Sequence, residues 1–326
     1  PATARHSPLC MRNLPPAPTD REILAARPAR NTVDADIPYA FHVEPEHAAS
    51  GRVEDVATIF LTNRECPFRC LMCDLWKNTL ETTVAAGAIP RQIDFALARL
   101  PRAEHIKLYN SGNFFDRRAI PRSDYPEIAR RVGGFKSVIV EYHPRFCSDE
   151  CVRFRDMAET HLEVAIGLET VHAGVLDRLN KQMTLDDFEQ AVRFLTDRDI
   201  SVRAFILLRP PYLDERGGLE WAVKSIDFAF SIGVGCCSVI PTRGGNGILE
   251  VLRERGEFHP PDITSMEAAL EAGLARRRGR VFIDLWDVEQ FFRCARCGPA
   301  RAERLRTMNL SQEIPPAVDC PCGGGA

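Results

Sequence analysis

Lysine is nearly missing from this chain: five of its 42 basic residues are lysine and the rest are arginine. We read that bias as genome composition rather than function. Long apolar runs are missing too. None approaches the roughly 18 residues that a membrane span needs, and the opening PATARHSPLCMRN lacks the apolar middle of a secretory signal. Excess positive charge is also absent. A net charge of −3 gives no general attraction to nucleic acid, so any such binding needs a local basic face. No internal repeat is visible. These absences point to a cytoplasmic protein that does not engage a membrane.

In bulk the chain is ordinary, but its cysteine content is not. Its 326 residues suit one large domain, or one domain with a small appendage, and can bury a substantial core. Hydrophobic residues at 45% and charged residues at 27% fit a soluble globular protein. Twelve cysteines are many for a cytosolic chain. Disulfide frameworks belong to short secreted chains, whereas C-x2-3-C spacings in a cytosolic enzyme point to metal or catalysis. Most of the twelve fall in tight groups near residues 70, 295 and 321, with an adjacent pair at 236–237. Metal is the reading we adopt.

Residues 1–54 are rich in Pro, Ala and Arg without sustained periodicity, and read as an extended arm. From 55 to 245 apolar runs alternate with helical segments. The expected strands are VATIFL (56–61), HIKLYN (105–110), SVIVEY (137–142), LEVAIGLE (162–169), SVRAFILL (201–208) and VGCCSVIP (234–241). Between them, TLDDFEQAVRFLTDRD (184–199) has helical spacing and Thr184 as N-cap. Six such alternations imply a parallel sheet with crossover helices; a doubly wound sheet and part of a barrel both fit. Beyond 245 the alternation fades into a helix near 263–277, a strand-like VFIDLWDV (281–288) and a cysteine-bearing tail. Residues 246–326 read as a separate small module.

The stretch RECPFRCLMCDLW (64–76) sets Cys66, Cys70 and Cys73 at C-x3-C-x2-C. Four protein ligands close a structural zinc site, while a catalytic metal keeps a position open. Three thiolates on a four-iron cluster leave one iron free to be chelated by an amine and a carboxylate. Phe68 supplies apolar cover, one determinant of cluster potential. The loop follows the first expected strand, at the carboxyl end, where parallel folds place their chemistry.

This stretch resembles the signature of the radical S-adenosylmethionine (SAM) superfamily, C-x3-C-x-aromatic-C, with Met72 in place of the aromatic residue. Further matches follow in order. Tyr109-Asn110-Ser111-Gly112-Asn113 stands where the family has a Gly-Gly-Glu-like turn for the SAM amino group; the acid is absent here, which leaves hydroxyl, amide and backbone groups. Val140-Glu141-Tyr142-His143-Pro144 is similar to the E-x-R-P of relatives of the Elongator catalytic subunit. Ile166-Gly167-Leu168-Glu169-Thr170 resembles the family's G-L-E-S/T, and Asn180-Lys181 its Asn-Arg or Asn-Lys near the SAM carboxylate. RPPYLDE (209–215) and IPTRGGNGILEVLRERGEFHPPDITS (240–265) are similar to segments of the archaeosine-synthesis radical SAM enzymes, which act on a modified 7-deazaguanine in transfer RNA.

The resemblance implies a partial (β/α)6 TIM-like barrel over 55–245, with a [4Fe-4S] cluster on Cys66, Cys70 and Cys73. It gives the SAM site to Phe68, Met72, Ser111, Gly112, Asn113, Glu141, Glu169 and Lys181. It implies reductive cleavage of SAM to a 5′-deoxyadenosyl radical, fed by a donor such as flavodoxin or ferredoxin. The expected substrate is a nucleoside or tRNA base. A small metabolite or natural product, including aminocarboxypropyl transfer, is the alternative; a non-catalytic metal protein is a third reading, against which Glu141, Glu169 and Lys181 speak.

Cys294-x2-Cys297 and Cys320-x-Cys322 form two pairs that suit either zinc or a second iron–sulfur cluster. Cys236 and Cys237 lie on a strand, so one alone faces inward. Both read as small buried apolar residues, with a substrate-facing thiol as the alternative; Cys147 and Cys151, at i and i+4 of a helical segment, read as structural. Cys10 lies in the arm. The arginine-rich AGLARRRGR (272–280) reads as a solvated helix end.

Overall fold

The computed structural model describes residues 14–320 and Cys322; Cys10 lies outside them. The strands are β1 (Ala40–His47), β2 (Val53–Phe60), β3 (His105–Tyr109), β4 (Ser137–Tyr142), β5 (His161–Glu169), β6 (Ser201–Leu208), β7 (Cys236–Pro241) and β8 (Arg280–Ile283). The helices are α1 (Asp20–Ala26), α2 (Ala88–Leu97), α3 (Tyr125–Val132), α4 (Asp149–Ala158), α5 (Ala173–Arg178), α6 (Leu185–Thr196), α7 (Glu215–Ser231), α8 (Ile248–Glu254), α9 (Ile263–Ala275) and α10 (Gly298–Ser311). All eight strands form one sheet in chain order; β1 is antiparallel to β2 and each later pair is parallel. β2 to β8 are seven parallel strands of a partial barrel, one more than the six expected over 55–245. Among the described residues no helix is long and apolar enough to cross a membrane.

Alternation along the strands sorts their side chains into two populations. Ala57, Ile59, Ile106, Leu108, Val138, Val140, Val164, Ile166, Ala204, Ile206, Cys237 and Val239 face the helices in the main apolar core. The alternate residues face the lumen: Lys107 and Tyr109 on β3, Ile139 and Glu141 on β4, Glu163, Ala165, Gly167 and Glu169 on β5, Arg203 and Phe205 on β6. Cys236 shares this side, with Arg203 and Arg280 as its electrostatic neighbours, while Cys237 packs outward.

The sheet crosses both expected segment boundaries. β1 lies within the arm and pairs residue by residue with β2, from Ala40 opposite Phe60 to His47 opposite Val53. At the other end, Cys236 to Val239 pair with Arg280 to Ile283. Residues 246–326 thus contribute β8 to the barrel sheet as well as carrying the tail cysteines.

At the amino-terminal end of the parallel strands, a buried ionic layer closes the lumen. Glu46 of β1 bonds Lys107 Nζ at 2.5 Å and Arg203 Nη2 at 2.6 Å. Glu163 bonds Arg203 Nε at 2.6 Å and Arg280 Nη2 at 2.8 Å. Burial opposes the charge on Glu46, but Arg203 and Lys107 override it and hold the carboxyl well below its usual range. Burial likewise acts on Glu163, and Arg203 and Arg280 bring it below 4.5. Because both native values are lowered, their contribution is full above about pH 4.5 and is lost as pH falls through the native values. Glu163→Gln should therefore lower the urea unfolding free energy at neutral pH by about 3 kcal/mol, the usual cost of breaking a buried pair. The variant should also lose less stability than the parent chain on acidification. An unchanged acid limb would show that the layer does not govern it.

Candidate active site

The carboxyl ends of the strands form a mouth, where the chain takes conformations that L-residues rarely adopt. Ser111, Glu169, Asn180, Gln182, Arg209 and Tyr212 all have φ between +53° and +73°, a cost of about 1–3 kcal/mol each that recurs at functional sites. Cys66, Cys70 and Cys73 lie on the loop leaving β2. Gly112, in the turn after β3, backs directly onto this loop. A Cβ there would stand 3.1 Å from Cys66 Cβ and 3.6 Å from its Sγ, so glycine lets the two loops meet.

Several anchors hold the cysteine loop. Leu71 N–H donates to Leu179 O at 2.8 Å. Asn246 Nδ2, in the turn after β7, donates to Leu71 O at 2.8 Å and Cys73 O at 3.3 Å, while its Oδ1 accepts Leu249 N–H at 3.0 Å. Asn180 Nδ2 donates to Arg69 O at 2.8 Å, and Arg69 to Cys66 O at 2.7 Å. Glu65 gathers Arg27, Arg30 and Arg69, with Arg27 stacked on Trp76 at 4.4 Å. Sequence reasoning missed Asn246, Glu65, Arg27 and Arg30. The left-handed Gly245 and Gly247 that frame Asn246 were legible as a turn, but its reach across 173 residues to Cys73 was not.

Behind the loop, Lys181 Nζ bonds Glu169 Oε1 at 2.5 Å, with both side chains nearly buried. A Cβ at Gly167 would land on this pair, which accounts for the glycine of Gly167-Leu168-Glu169. Lys181 stays protonated although burial opposes it, because Glu169 and the thiols favour the cation. Glu141 Oε2 accepts Asn110 N–H at 2.7 Å, and the Ser111 and Gly112 N–H groups also favour its charged form. Burial raises Glu141 to about 7 against the pull of these donors and Lys181. Asn110 is 1% exposed, and neither of its side-chain polar atoms has a partner.

Other expected residues play local parts. Phe68 stacks on His143 at 4.0 Å, and His143 Nε2 donates to Lys181 O at 3.0 Å. Burial, then Lys181, keeps that imidazole neutral, with its value lowered to about 3. Met72 packs into an apolar cluster with Leu71, Leu179, Leu207 and Leu249. Asn113 Oδ1 caps Phe115 N–H at 3.0 Å, so it shapes its own turn. Ser111 Oγ lies 3.2 Å from Tyr39 Oη. Below the mouth, Tyr109 meets Phe205 across the lumen with ring centroids 6.2 Å apart, and Phe60 at 6.0 Å. A cavity of about 390 Å³ beside the loop is lined by Arg30, Arg64, Glu65, Cys66, Arg69 and Arg118.

The donor set fits a metal cluster. Burial pushes all three thiols up, Cys70 to about 12, and Lys181 offsets this only in part at Cys66 and Cys70. Three thiolates in such a place require a bound cation.

No family model matches the chain. It is 22% identical over 317 residues to the uncharacterized protein MJ0550 of Methanocaldococcus jannaschii, covering 90% of this chain and 87% of that one. It is 27% identical over 273 residues to archaeosine synthase subunit beta of Methanosarcina acetivorans, covering 78% and 77%. The subunit of that name from Thermococcus kodakarensis is 30% identical over 210 residues, covering 59% and 62%. Among solved structures, the Elp3 of Methanocaldococcus infernus, with residues 1–46 deleted, aligns with a TM-score of 0.48 at 14% identity, over 68% of this chain and 58% of that one. Methylornithine synthase aligns at 0.45 and 13%, over 74% and 79%.

Asn246→Ala would strip donors from two carbonyls of the cysteine loop. It should cost about 1–3 kcal/mol and speed amide exchange at Leu71 relative to strands β4 and β5. Unchanged exchange at Leu71 would show that the loop does not depend on this anchor.

Proposed function

We propose that this radical SAM enzyme cleaves SAM at a [4Fe-4S] cluster held by Cys66, Cys70 and Cys73, and that it modifies a nucleoside, free or within tRNA. The observation that carries the reading is the trio of half-buried thiols on one loop, with Lys181, Glu169 and the unpartnered Asn110 amide gathered behind it. When bound, the cluster supplies one electron to the SAM sulfonium, whose cleavage yields a radical that takes a hydrogen atom from substrate.

The chain's own residues bind, orient and exclude water. Lys181 offers the cation for the SAM carboxylate, and Glu169 holds it in place. Glu141 accepts the Asn110 N–H and so helps fix the turn that presents Asn110, Ser111 and Gly112. Asn110 can both donate and accept, which suits an amino acid head group. The stacked Phe68 and His143 shield one side of the loop, and Met72 packs beneath it. Tyr109, Phe205 and Phe60 offer flat apolar faces in the lumen, favourable for a nucleobase. Two relatives named archaeosine synthase subunit beta support the nucleoside assignment. The arginine-lined cavity beside Cys66 suits the docking of an acidic reductant such as flavodoxin or ferredoxin.

With iron and sulfide reconstituted anaerobically and dithionite as reductant, the chain should release 5′-deoxyadenosine from SAM. Alanine at Cys66, Cys70 or Cys73 should reduce this release to background; retained turnover would overturn the cluster assignment. Methylthioadenosine as the product would indicate aminocarboxypropyl transfer instead. Deuterium passing from a labelled nucleoside or tRNA into 5′-deoxyadenosine would support the substrate class. Cleavage without such transfer from any nucleoside would remove it.

A further inference from the structure

The tail cysteines differ in geometry from those of the mouth. The Sγ atoms of Cys294, Cys297, Cys320 and Cys322 all lie within 4.8 Å of one another, and those of Cys297 and Cys322 are 3.7 Å apart. Four thiolates at about 2.3 Å from one tetrahedral ion stand about 3.8 Å apart. An iron–sulfur cluster distributes its cysteines over two or four irons, so the full set spreads wider. Four sulfurs gathered this closely suit one tetrahedral ion, and zinc is the usual occupant of a closed four-cysteine structural site.

We propose that these four cysteines bind a single zinc ion as a closed structural site, and that the ion locks α10 across the open side of the barrel. At its carboxyl end α10 seals the free edge of β8. Asn309 Oδ1 accepts Ile283 N–H at 2.9 Å and its Nδ2 donates to Ile283 O at 2.8 Å. Gln312 does the same for Val281, at 2.8 Å and 2.9 Å. Two side-chain amides thus stand in for the next strand and cover an edge that would otherwise invite pairing. His47 Nδ1 of β1 donates to Leu310 O at 2.9 Å, so the helix reaches both edges of the sheet.

At its amino end α10 begins beside Cys297, and Gly298 N–H donates to Cys294 O at 2.9 Å. The chain beyond α10 doubles back along it. Arg304 donates to Pro315 O at 2.7 Å and Pro316 O at 2.8 Å, while Arg301 reaches Val318 O at 3.4 Å. Cys320 and Cys322 thereby return to the first turn. Glu267 of α9 bonds both arginines, and the Arg301 guanidinium is an electrostatic neighbour of Cys297. A guanidinium beside four thiolates balances the excess negative charge of such a site. Metal binding here closes a loop that contains the whole of α10, and so contributes directly to holding it.

The test separates this site from the mouth. In a chain with Cys66, Cys70 and Cys73 all replaced by alanine, metal analysis should find one zinc and no iron per molecule. Iron with sulfide in that variant, or no metal at all, would overturn the proposal. In the otherwise intact chain, Cys320→Ser should lose zinc, keep the iron of the mouth, and raise amide exchange at Val281 and Ile283 by about tenfold or more. If that variant does not fold, stripping zinc from the intact chain with a chelator gives the same readout. Unchanged protection of these two amides after zinc loss would refute the lock.

Discussion

Everything above the floor of this barrel depends on five charged side chains that meet inside it. The eight strands do not close on themselves, so hydrogen bonding alone leaves β1 and β8 as separate edges. Glu46, Lys107, Glu163, Arg203 and Arg280 join those edges through the lumen: Arg203 bonds carboxylates from β1 and β5, and Glu163 bonds arginines from β6 and β8. A layer of this kind adds little net stability compared with well-packed apolar residues. It does set geometry, because each charge has a partner in one arrangement of the strands and would be stranded in another. With each floor charge paired, the substrate and cofactor chemistry we propose is left to the opposite end.

At that opposite end the polar groups are less completely satisfied. Asn110 has no partner for either side-chain atom, and Glu141 is buried with its value raised towards neutrality. Left-handed backbone adds strain at Ser111, Glu169 and Asn180. The contrast is physical: the floor matches each charge, whereas the mouth keeps amide and ammonium groups positioned for a guest.

The two cysteine sets express the same contrast in metal chemistry. Three thiols on the mouth loop, without a fourth, suit a centre that must leave one position open. Four thiols gathered around one point in the tail suit a centre that must be closed. Their surroundings agree: the mouth loop is braced by hydrogen bonds from distant turns, through Asn246 and Asn180, while the tail site is braced by its own helix through Arg301 and Arg304.

By itself the sequence determined the parallel strands β2 to β7, because runs such as SVIVEY and SVRAFILL carry the apolar alternation of a sheet covered by helices. It also determined the cysteine spacings and the order of the short motifs from Cys66 to Lys181, since these are local. Even the lumen charges left a trace, as Arg203 and Glu163 interrupt otherwise apolar strands. The tertiary structure alone decided which charges meet. β1 was hidden in sequence because Glu44, Pro45 and Glu46 break its apolar pattern; its glutamates find Lys107 and Arg203 only after the sheet curls. The same holds for Asn246 on the cysteine loop and for Asn309 and Gln312 on the edge of β8. Their partners are far away in the chain, and hydrogen-bond pairing across such distances leaves no periodicity to read.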